Sequence, residues 1–87
     1  MNQSILFSDQ VTWDDTTEMV EFHAHQSGML IVCLVSLEKL AQLAYQKEVA
    51  KHEAVAIFDS VRFDIEEIAE ALIEDESFDE QGKIIIR

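Results

Sequence analysis

Glu21, His23 and His25 are the residues of this sequence whose types and spacing could do chemistry. In an extended chain, alternation puts all three side chains on one strand face, about 7 Å from each to the next. A His-x-His pair beside a carboxylate can bind zinc or iron and would support a metal-dependent hydrolysis. No second His or Cys cluster completes a closed site, and an exposed polar strand face obeys the same alternation. The plain polar face is therefore the expected reading, with no cofactor, and metal binding through these three residues is the alternative.

Cys33 is the single cysteine, so no disulfide can form within the chain. A nucleophilic thiol needs a base and a partly exposed, electropositive setting. Cys33 instead lies in the most apolar run, Met29–Val35, and reads as a buried structural thiol. Its facing depends on the turn before it. A three-residue loop would set Glu21 opposite Cys33, whereas a two-residue Ser27-Gly28 turn would put Cys33 on the Phe22 face. No phosphate-cradling glycine loop, nucleophile elbow, metalloprotease helix or calcium loop occurs in the chain.

Acidic residues dominate the C-terminal third. Asp64, Glu66, Glu67, Glu70, Glu74, Asp75, Glu76, Asp79 and Glu80 fall between Asp64 and Gln81 with no base among them. Ile65, Ile68, Ala69, Leu72 and Ile73 recur there at i, i+3, i+4, i+7 and i+8, the spacing of an amphipathic helix with a negative outer face. The like-charged pairs Glu66/Glu70 and Glu70/Glu74 each cost roughly 0.2–0.5 kcal/mol of helix stability. A solvated face accounts for them; a contact surface for a basic partner, which would relieve the repulsion, is the sharper account. Arg62, between Asp59 and Glu66, reads as an ion-pair ladder or as an interface arginine. Trp13 reads as a core anchor, with an interface hot spot as the alternative.

The bulk numbers narrow the field. Eighteen acids against six bases give a formal charge of −12 over 87 residues. That charge opposes binding to nucleic acid and to anionic membranes, which need Lys/Arg clusters, and here the bases are scattered along the sequence. The length sets the expectation of one domain, residues 1–87. No signal-peptide pattern and no membrane-length apolar run is present, so a cytoplasmic protein is expected.

These residues need a scaffold. Val20, Phe22 and Ala24 alternate with Glu21, His23 and His25, the mark of a half-buried strand; the next run is apolar on both faces. Together they predict a hairpin over about 18–35. Ser36 caps a helix over about 37–45, and apolar steps of three and four predict a second over about 48–76. At about 1.5 Å per residue the second helix is long for so small a chain, so a bend near Asp59–Phe63 is expected. Residues 83–87 form a last strand and 5–7 a possible first one, with a turn at Trp13–Thr17. The fold class is α+β, a small, mostly antiparallel sheet with helices on one face.

The order of these motifs resembles a known family. Ile5-x-Phe7, Trp13-Asp14, Val20-Glu21-Phe22-His23-Ala24, Gly28 and Ile31-x-Cys33 lead into Ser36-Leu37-Glu38-x-Leu40. Phe58-x-x-x-Arg62-x-x-Ile65-Glu66-x-x-Ala69 and Gly82-Lys83-Ile84 follow. This resembles the small bacterial proteins of the domain-of-unknown-function family 1488 (DUF 1488). The resemblance implies a compact α+β fold and brings no activity, cofactor or catalytic residue. The expected function is a non-enzymatic interaction or regulatory module. Its candidate contact residues are Arg62, Glu66, Glu67, Glu70 and Glu74, and a structural homodimer is a further alternative.

Overall fold

The computed structural model describes residues 4–87. Four strands, β1 (Ile5–Asp14), β2 (Met19–Gln26), β3 (Met29–Ser36) and β4 (Ile84–Ile86), form one sheet in the order β1-β2-β3-β4. The first three are an antiparallel meander, and β4 adds to β3 in parallel. Helices α1 (Leu37–Leu43), α2 (Ala54–Ser60) and α3 (Arg62–Glu74) all fall in the crossover between β3 and β4. The α+β architecture is as the sequence predicts.

Gln26 pairs with Met29, so the β2–β3 hairpin turns on two residues. Ser27 (φ 53°) and Gly28 (φ 78°) are both left-handed, as a type I′ turn requires. This register pairs Cys33 with Phe22 and sends both side chains into the core. The first strand is longer than residues 5–7. It runs through Trp13 and Asp14, and the turn occupies only residues 15–18. Asp14 closes that turn: its carboxylate accepts from the Thr17 hydroxyl at 2.7 Å and, more weakly, from the Thr16 and Thr17 amides. The Thr17 hydroxyl bond is the main cause holding the Asp14 carboxyl below its usual range.

Alternation alone misses the length of β1 because the strand is bulged. Ser8, Asp9 and Gln10 together oppose the single residue His23, between the pairs Phe7–Ala24 and Val11–Phe22. The bulge adds two residues, so the facing of the strand survives it, and Ile5, Phe7, Val11 and Trp13 all pack against the core.

The long predicted helix is three pieces. Residues 46–50 are irregular, a single 3-10 turn covers Lys51–Glu53, and Val61 (φ −121°, ψ 23°) separates α2 from α3. No proline is involved. The Ser60 hydroxyl donates to the Ile57 carbonyl at 2.7 Å, a local bond that competes with the helical ladder beside the break. The bend falls inside the expected Asp59–Phe63 window. The last helix stops at Glu74, so Asp75, Glu76, Asp79 and Glu80 sit in a loop and not on the acidic helix.

One core joins the layers. Val20, Phe22, Ala24, Ile31, Cys33, Val35, Ile84 and Ile86 from the sheet meet Leu40, Ala54, Phe58, Ile65, Ala69 and Ile73 from the helices. Phe22 lies at its centre, 5.0 Å from the Phe58 ring and 6.3 Å from Phe7. Trp13 packs partly buried at the margin, its indole N–H donating to Asp15 at 2.8 Å.

Candidate functional site

The three residues of the alternative metal reading do not converge. Glu21 and His23 are half-buried on the sheet face away from the helices, and His23 Nε2 donates to Glu21 Oε2 at 2.7 Å. His25 is exposed one step further along. Among the described residues, no group of three or more His, Cys, Asp or Glu side chains could hold a metal ion. The missing ingredient is convergence: a flat strand face spaces its side chains apart and supplies no ligand from above.

The acidic residues of α3 do converge on something. Asp64, Glu66, Glu67 and Glu70 line a groove of about 450 Å³ together with Ile5 and Phe7 of β1 and with Phe63. Among the described residues, no basic side chain lines it. Its apolar parts are unequal: Ile5 and Phe7 are half-buried on the edge strand, whereas the Phe63 ring is 83% exposed. Glu74, at the far end of α3, stays outside the groove.

Arg62 fixes one wall of this groove. Its guanidinium stacks over the Phe58 ring, 5.2 Å from the centroid, and donates to Asp59 at 2.8 Å. It also pairs with Glu66 at 3.5 Å and reaches the Asp9 carbonyl in the β1 bulge at 3.5 Å. The ladder expected from the i−3 and i+4 spacing is present. The contact to the bulge, 53 residues away in sequence, could not be read from spacing. Glu66 is thereby held against the sheet edge, while Glu67 remains free of ion pairs among the described residues.

Two features escaped sequence reasoning. Phe63 lies off the apolar stripe of α3, and its exposure follows from that position at the start of the helix. Lys39, Lys47 and Arg87, scattered in sequence, line one pocket. Their meeting follows from the parallel register Val35–Ile86, which sets the residue after β4 beside the start of α1.

The fold and this surface define a class: a small α+β protein with a four-stranded mixed sheet and no metal-holding cluster among its described residues. The chain belongs to the DUF1488 family, described as a protein of unknown function, whose model matches residues 5–86. It is 39% identical over 82 residues to the uncharacterized protein YrdB of Escherichia coli K12, and 38% identical to YrdB of Shigella flexneri. Each alignment covers 94% of both chains. A crystal structure of a DUF1488 protein of unknown function from Shewanella loihica is similar throughout. It has a TM-score of 0.89 and 46% identity, covering 99% of this chain and 94% of that one.

Proposed function

We propose that this protein is a non-enzymatic interaction module that receives a basic segment of a partner protein in the groove between α3 and β1. The supporting observation is the lining of that groove: Asp64, Glu66, Glu67 and Glu70 surround an exposed Phe63, with no base among the described lining residues. Asp64, Glu67 and Glu70 form no ion pair among the described residues, whereas Glu66 is paired with Arg62. Such unpaired carboxylates attract a cationic partner and set its approach, and an exposed aromatic supplies contact area at low entropic cost. Arg62 acts here as a positioning residue, holding Glu66 against the sheet edge. Glu74 lies beyond the groove and contributes only to the surrounding field.

The test is capture of partners from a bacterial lysate at low and high salt, comparing wild type with an E66Q/E67Q/E70Q variant and with F63A. A partner retained at low salt, lost at high salt, and lost from both variants supports the reading. Retention unaffected by salt and by both variants overturns it.

A specific observation favours a second reading, self-association through the sheet. On the face away from the helices, Leu6 is 66% and Leu30 is 55% exposed, and His25 lies opposite both. This face offers apolar contact with few carboxylates, which two copies of a −12 protein would need. Sedimentation equilibrium decides it: a monomer at high micromolar concentration removes the homodimer.

A further inference from the structure

We propose that the pocket between α1 and the segment that follows it binds a small organic carboxylate, head group toward three cations and apolar body toward the pocket floor. The pocket measures about 550 Å³, within the range of small-molecule sites. Lys39, Lys47 and Arg87 line it, half of the six basic residues in the chain. None of the three forms an ion pair among the described residues, although the chain carries eighteen acids. Lys51 and Arg62, by contrast, are both paired with carboxylates. In so acidic a protein, three cations without a direct ion-pair partner around one cavity leave a local attraction for an anion.

The pocket is built by a helix ending. Tyr45 adopts φ 58°, and the amides of Tyr45 and Gln46 bond back to the carbonyls of Gln42 and Ala41. This Schellman turn folds residues 46–49 back toward α1, so that Lys47 and Val49 share a cavity with Leu37, Lys39 and Ala41. Ala41 and Val49 are buried and supply the apolar floor. Glu38 and Glu48 also line the pocket. These neighbouring carboxylates disfavour a dianion more than a monoanion, which selects a monocarboxylate over a phosphate monoester. The site is separate from the α3 groove and does not depend on it.

The test is amide chemical-shift titration with benzoate, using benzamide as the neutral isostere and inorganic phosphate as the dianion control. Benzoate is expected to shift the amides of residues 37–49 and 87 saturably, with neither control doing so. The variant K39Q/K47Q/R87Q should bind at least about tenfold more weakly, since losing one charge-assisted contact is enough for that factor. The variant E38Q/E48Q, which keeps the cations, should bind more tightly. No saturable shift by benzoate, equal shifts by benzamide, or unchanged affinity in both variants would overturn the proposal. Shifts that follow protein concentration instead of benzoate would put a second copy in the pocket and overturn it too.

Discussion

Cys33 shows how completely a residue's chemistry is set by where its strand sits. Its side chain is fully buried opposite Phe22, and burial pushes the thiol from an ordinary value near 9 up to about 12. Native protein should resist iodoacetamide at pH 8, and the same protein in denaturant should react to completion; mass spectrometry of both reads the outcome. The raised value also sets a pH dependence. Below pH 9 folded and unfolded chains both hold the proton, so Cys33 makes no difference. Between 9 and 12 the unfolded chain loses its proton first, and stability falls as pH rises. Arg62 makes the complementary case. It joins Phe58, Asp59, Glu66 and the β1 bulge, so Arg62→Ala should cost about 1–2 kcal/mol in urea unfolding, and Lys, lacking the planar fork, should restore only part.

At the scale of elements, the helix ends carry the clearest expectation. Both α1 and α3 finish in Schellman turns whose left-handed residue is not glycine: Tyr45 (φ 58°), which is 97% exposed, and Glu76 (φ 56°). A side chain is disfavoured in that region, so Tyr45→Gly and Glu76→Gly should each stabilise the fold by roughly 0.5–1 kcal/mol. Thermal unfolding of the two variants checks this. The sequence placed both ends within two residues, at about 45 and 76, but not their left-handed geometry, because glycine is the signal for such a turn and both positions lack it. The α3 stripe was legible for the opposite reason: Ile65, Ala69 and Ile73 are buried at the spacing that periodicity demands. The hairpin was legible too, although its register waited on the left-handed Ser27. The extent of β1 was not, since the bulge at Ser8–Gln10 interrupts the alternation that marks a strand. The α3 groove was half legible. Its carboxylates follow from helical spacing, whereas its apolar wall comes from a strand more than fifty residues earlier.

For the whole molecule, net charge governs behaviour in solution. The formal charge of −12 falls to zero near the sequence pI of about 4.3, and the repulsion that keeps copies apart disappears with it. Solubility should pass through a minimum between pH 4 and 5, measurable by light scattering, and an unchanged profile there would contradict the expectation. The charge is unevenly spread. Carboxylates crowd α3 and the loop after it, while Lys39, Lys47 and Arg87 gather around the pocket beside α1. Among the described residues no helix is long and apolar enough to cross a membrane.

The parallel pairing of β4 with β3 has a kinetic consequence. The β1-β2-β3 meander needs only two short turns and can form from neighbouring residues. Three-residue β4 reaches its place only after the whole helical crossover has been drawn into a closed loop, an entropic cost that its own few hydrogen bonds cannot offset. Ile84 and Ile86 offset it through burial beneath the helices. The last strand therefore acts as a latch: helix docking and strand closure must be one cooperative event. Weakening any helix contact in the core should loosen β4 first.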